Sequence, residues 1–83
     1  MSFDAIITDA GRRSLTVQLK VELRRGEIEV IEVEPYGRKA QGDSNLLFCL
    51  DVNTYEYKNI DMAKIRNVET TRRMFKPRFP VDF

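Results

Sequence analysis

A chain of 83 residues makes one domain and leaves no room for a second, and a domain of this size buries only roughly 60–65% of the surface that its unfolded chain exposes. Its 14 basic side chains face 13 acidic ones, so no overall field steers it onto nucleic acid or a membrane surface. The absence of histidine removes the usual general base and the commonest metal ligand, and a single cysteine excludes an internal disulfide.

The expected elements run in order from Ser2, which caps a short helix over residues 3–10. Phe3, Ile6, Ile7 and Ala10 recur there at helical spacing, and Gly11 offers a left-handed stop. Leu15, Val17, Leu19, Val21 and Leu23 then alternate with polar residues, which predicts a strand with one buried face. Arg25-Gly26 makes a tight turn into a return strand over residues 27–34. In that strand Ile28 and Val30 take one parity, and Ile31 and Val33 the other. A β-bulge near Val30-Ile31 would turn all four inward and gather Glu27, Glu29, Glu32 and Glu34 on the outer face as solubilising charge.

Pro35 has no N–H to donate and is expected to end the ladder there, before a polar loop over residues 38–45. Leu46 to Leu50 read as a strand buried on both faces, with Cys49 a buried, inert thiol. Turn residues 51–54 lead into a hairpin partner over residues 55–60. Tyr55 and Tyr57 share one of its faces, as core or cross-strand packing or as a stacking surface. Asp61 caps a helical turn over residues 62–64, and residues 65–71 form the last strand. Pro77 and Pro80 exclude a helix from the tail, residues 74–83. The fold class is therefore mainly β: a small, strongly bent, five-stranded antiparallel barrel over residues 14–71, with a short N-terminal helix. An open sheet with the helix across one face is the alternative.

Val33-Glu34-Pro35-Tyr36-Gly37, the run from Leu46 to Asp51, the segment from Tyr57 to Ile65 and Val68-Glu69 together resemble the core of the WYL domain family. The likeness extends to the helix-Gly-Arg-Arg start and to the Phe75…Phe79 tail. It implies an Sm-like, SH3-like barrel of the kind that serves bacterial transcriptional regulators as a sensor module. It also implies a nucleotide or single-stranded nucleic acid as ligand, and a transcriptional regulator as partner. Where the family carries its Trp-Tyr-Leu triplet, this chain has Asn45-Leu46-Leu47. Where the family carries its ligand arginines, it has Lys58, Asp61 and Lys64. Lysine keeps the charge but loses the planar fork suited to phosphate, and Asp61 repels an anion.

The ligand-binding candidates are Arg13, Tyr36, Lys58, Lys64 and Arg66. They read either as a phosphate grip with a stacking tyrosine, or as a solvated wall whose lysines balance Glu56, Asp61 and Glu69. The tail sets Arg72, Arg73, Lys76 and Arg78 among Met74, Phe75, Phe79 and Phe83. That pattern fits a nucleic-acid platform or an interaction tail, or a tail folded back so that its phenylalanines plug the barrel and its arginines stay in water. Nothing points to catalysis, to a metal or to a cofactor, because Ser14 and Ser44 have no base at motif spacing. No apolar run approaches the ~18 residues of a membrane span, so a cytoplasmic protein without membrane contact is expected. A regulatory module binding a nucleotide-like ligand follows; the alternative is a protein-interaction module that assembles as a homodimer or higher oligomer.

Overall fold

The computed structural model describes residues 2–83. They form α1 (Phe3–Arg12), β1 (Leu15–Arg24), β2 (Glu27–Gln41), β3 (Ser44–Asp51), β4 (Glu56–Asp61), a 3-10 turn (Met62–Lys64) and β5 (Ile65–Met74). The five strands make one antiparallel sheet in the order β4-β3-β2-β1-β5. The expected bent, barrel-like fold with its leading helix is what forms, but the barrel does not close. No ladder joins β4 to β5, and only the 3-10 turn spans that seam.

Period-2 patterning in β1 builds the interior. Val17, Leu19 and Val21 are fully buried, each burial stabilising by about 1.5–3 kcal/mol. Facing them are Ile31 and Val33 of β2, Leu47 and Cys49 of β3, and Ile7 and Ala10 of α1. Ten helical residues are too few to hold together alone, so α1 depends on this docking. The Ser2 side chain caps it, accepting from the Ala5 N–H at 3.2 Å, as expected. The Asp61 carboxylate likewise caps the 3-10 turn, accepting from the Ala63 N–H at 2.9 Å.

Several expectations are corrected. Gly11 does not stop the helix. It lies buried inside α1, and Ser14, with φ 56°, is the left-handed residue that turns the chain into β1. Leu23 alternates as predicted but is 45% exposed, while Leu15 is half-buried. No bulge interrupts Val30-Ile31, because the pairing runs unbroken from Val17↔Val33 to Glu22↔Ile28. Ile28 and Val30 therefore stand exposed while Ile31 and Val33 are buried, and the four glutamates divide between the two faces of β2.

The β2 bulge lies elsewhere. Pro35 pairs with Cys49 and Gly37 with Phe48, so Tyr36 is an extra residue in β2. A proline is tolerated at a bulge, where a ladder N–H is not required, and so Pro35 does not end pairing. The supposed loop beyond it is a hairpin arm, with β2 continuing to Gln41 and β3 starting at Ser44 around Gly42 (φ 60°).

Beyond β5 the tail adopts no helix and folds back, but Phe75 and Phe79 cover the outer face of the sheet instead of plugging the barrel, and Arg78 pairs with Glu34 instead of staying in water. Phe75 donates its N–H to the Ser14 carbonyl at 2.9 Å, and Asp82 donates to the Tyr36 carbonyl at 2.7 Å. Phe83 reaches α1, where its ring fills the space that a side chain at Gly11 would occupy, and its carbonyl accepts from Arg12. Gly11→Ala is therefore expected to lower stability by about 1–3 kcal/mol through overpacking. In a Phe83→Ala background the same change should raise it by roughly 0.5–1 kcal/mol, as alanine does in an unobstructed helix. Thermal unfolding of the two single variants and the double variant reads out the change of sign.

Candidate functional site

Tyr36 shares the parity of Glu32 and Glu34 and lies on the outer face, where a second apolar cluster forms from Tyr36, Leu50 and Phe75, with Phe48 and Val81 packed against it. Rings extend it toward solvent. Phe75 and Phe79 each meet Tyr36 edge-on at 5.6 Å, Tyr57 stacks on Phe48 at 5.8 Å, and Phe79 meets Tyr57 at 4.8 Å. Tyr57 thus makes the cross-strand packing expected of it, although it is 46% exposed. Tyr55 lies outside β4, in the turn, at φ 59°; its ring lies 5.5 Å from the Arg78 guanidinium.

Tyr36 itself is 1% exposed. Its hydroxyl donates to Glu34 at 2.6 Å and accepts from the Arg78 N–H at 3.0 Å. Burial, and next the bond to Glu34, push its pKa up to about 12, so it stays a neutral donor. Burial likewise pushes the Cys49 thiol up to about 12, the state of an inert core cysteine.

The predicted ligand set is divided by the fold. Arg13 lies at the end of α1, paired with Asp9 at 3.1 Å. Tyr36 is packed away beneath the tail. Arg66 donates to the Ala63 carbonyl and to Glu22, bracing the 3-10 turn. Lys58 and Lys64 do come together, lining a slot of about 360 Å³ at the open seam, with Asn59, Asp61 and the apolar Val21, Leu23, Leu46 and Ile60 around it. Lys58 is also committed to the buried Asp51 at 2.9 Å. Burial alone would raise the Asp51 carboxyl. The Lys58 ammonium and the N–H groups of Asn53 and Thr54 outweigh it and hold the pKa below the ordinary carboxylate value.

Two of the four cations Arg72, Arg73, Lys76 and Arg78 are paired, and Arg72 and Arg73 lie at the end of β5. Arg73 pairs with Glu32 at 3.5 Å and Arg78 with Glu34 at 3.7 Å, which ties the basic tail to the acidic strand β2. Arg72 is exposed, whereas Phe75 is core. The six ion pairs leave Lys39 and Lys64, like Lys20, Arg24, Arg25, Arg72 and Lys76, without a carboxylate partner among the described residues.

Sequence reasoning missed a groove of about 460 Å³ between the hairpin arm and the tail. It is lined by Tyr36, Gly37, Arg38, Lys39, Phe48, Asn59, Pro80 and Asp82. Arg38 is held at its rim by Asp4 and lies over the Phe83 ring. Gly37 permits close approach, because a Cβ there would meet the Asp82 carbonyl at 3.1 Å. The one local signal was the pairing of 37–39 with 46–48, hidden by reading residues 38–45 as a loop.

Among solved structures the chain is similar in fold to proteasome accessory factor B/C (PafBC) of Arthrobacter aurescens, with a TM-score of 0.80 over 93% of this chain at 19% identity. It spans only 13% of that protein, which contains a WYL domain. No family model matches the chain, and no curated protein does. No helix among the described residues is long and apolar enough to cross a membrane.

Because the folded Asp51 carboxyl titrates below its ordinary value of 3.8, its contribution to stability is present above that pH and is lost as pH falls through the folded value. Asp51→Asn keeps an acceptor for the turn but removes the charge. It should cost about 1–3 kcal/mol near neutrality, toward the low end because Lys58 is one-third exposed, and should flatten the acid limb of a pH–stability curve. Chemical denaturation from about pH 7 down to about pH 2 checks both, and an unchanged acid limb would remove Asp51 from this role.

Proposed function

We propose that this chain is a non-enzymatic regulatory sensor module resembling WYL domains. It takes a nucleotide-like ligand or short single-stranded nucleic acid, and passes its occupancy to a partner protein such as a transcriptional regulator. The groove between arm and tail carries the reading. It sets an aromatic ring, Phe48, beside an amide, Asn59, and a cation without a carboxylate partner, Lys39. A base stacks on the ring, the amide meets the base edge, and the ammonium meets a phosphate. The fold shared with PafBC supports the regulatory class.

Asn59 lines both the groove and the seam slot, so a ligand longer than one nucleotide extends from Lys39 toward Lys58 and Lys64. In this reading Lys64 is the second phosphate contact. Tyr36 acts from beneath, with its ring 6.2 Å from Phe48, and Arg66 acts by holding the turn that carries Lys64. Arg13 takes no part.

A second reading, self-assembly, is favoured by the outer edges of β4 and β5, which pair with no other strand of the sheet. Sedimentation showing a dimer that tightens with concentration would support it.

For the first reading, Lys39→Ala with Lys64→Ala should weaken binding of a labelled oligonucleotide at least tenfold. It should also reduce the log–log salt slope by about 1.4, roughly 0.7 for each lost phosphate contact. Phe48→Ala should weaken binding but leave the slope alone, because stacking releases no counterions. Fluorescence anisotropy across a salt series measures all three proteins. Affinities that none of these changes alters would end the reading.

A further inference from the structure

We propose that the outer face of β2, β3 and β4 is a peptide-binding seat, which residues 75–83 occupy in cis, and that its partner in trans is an extended, basic segment with phenylalanines four residues apart and prolines between them. The proposal goes beyond the ligand reading and does not rest on it.

The tail sits on the barrel as a bound peptide sits. It is neither helix nor ladder strand. Its main chain is fixed at few points: the Phe75 and Asp82 N–H groups, the Arg78 N–H on the Tyr36 hydroxyl, the Phe83 carbonyl on Arg12, and one parallel bridge between Gly37 and Asp82. Its side chains carry the rest. Phe75 enters the cluster under Tyr36, Phe79 lies across the rings of Tyr36, Phe48 and Tyr57, and Phe83 lies on Gly11. These anchors fall at equal four-residue steps, and Pro77 and Pro80 hold the chain extended between them. An extended segment with Pro77 and Pro80 three residues apart, lying on the rings of Tyr36, Phe48 and Tyr57, has the form of polyproline II recognition on an aromatic-lined surface.

Charge selects the occupant further. Glu32 and Glu34 lie on the seat, with side chains only 19% and 8% exposed, and they face Arg73 and Arg78. A replacing segment must therefore bring a cation beside its central phenylalanine, or leave a nearly buried carboxylate without one. The seat is also incompletely covered. Phe79 remains 40% exposed and Tyr57 46%, while residues 76–80 are exposed throughout. A segment held this openly is one that a competitor can lift.

The test uses the full chain and a fluorescent peptide with the sequence of residues 74–83. In the wild type the tethered tail competes at an effective concentration on the order of millimolar, so the peptide binds poorly. Phe79→Ala with Phe83→Ala weakens the tail but leaves Phe75 in the core. It should bind the peptide at least tenfold more tightly than the wild type does, and a peptide with alanine at those two positions should lose that gain. Equal binding by wild type and variant, or no binding by a folded variant, overturns the proposal.

Hydrogen exchange on the wild type decides the matter if the variant does not fold. The Asp82 amide should exchange at least tenfold faster than the Leu19 amide, through an opening that leaves β1 protected. Exchange of both at one global rate would make the tail an integral part of the fold and overturn the seat. A concentration-dependent dimer that protects Asp82 would install a second copy's tail and overturn a foreign partner.

Discussion

One extra residue in β2 governs this molecule. Tyr36 shares the parity of Glu32 and Glu34 and faces outward, and beyond it the alternation is reset, so that Gly37 lies opposite Phe48 on that same outer face. The sheet thus has two apolar faces. The inner one is closed by α1, and the outer one by residues 75–83 around Tyr36. The tyrosine is suited to the position because its ring supplies packing while its hydroxyl joins a buried carboxylate to a tail N–H. A phenylalanine there would pack, but would leave Glu34 without its shortest hydrogen bond.

The same face brings together two charged segments of opposite sign. An acidic strand and a basic tail look like two solvated features, yet they meet across the outer face as Arg73–Glu32 and Arg78–Glu34. This pairing engages Arg73 and Arg78 and leaves Arg72 and Lys76 exposed to solvent. Among the cations without a carboxylate partner, Lys39 on the arm lines the groove and Lys64 on the 3-10 turn lines the seam slot. Lys58 serves as counter-ion to Asp51, whose carboxylate also organises the turn between β3 and β4.

The open seam has a related cause. The 3-10 turn takes the chain from β4 to β5 across the gap, and β5 pairs with the far side of β1 instead of with β4. Leu23 is left at its margin, half-exposed although its parity points inward. An alternating strand longer than the core beneath it must end this way.

Local chemistry was legible from the residues alone. Ser2 and Asp61 cap the elements expected of them, Val17, Leu19 and Val21 point inward, and Met62–Lys64 forms its short turn, because each depends on neighbours within a few positions. Five strands, a leading helix and a buried thiol follow from the same patterns. The bulge at Tyr36, the hairpin arm and the resting place of the tail were decided only by tertiary structure. Each depends on contacts between residues far apart in the chain: Pro35 with Cys49, Tyr36 with Arg78, Gly11 with Phe83. A bulge near Val30-Ile31 would have satisfied the apolar pattern, whereas the one at Tyr36 leaves Ile28 and Val30 exposed. The choice fell to the partner strand and to the tail, whose packing no local rule records.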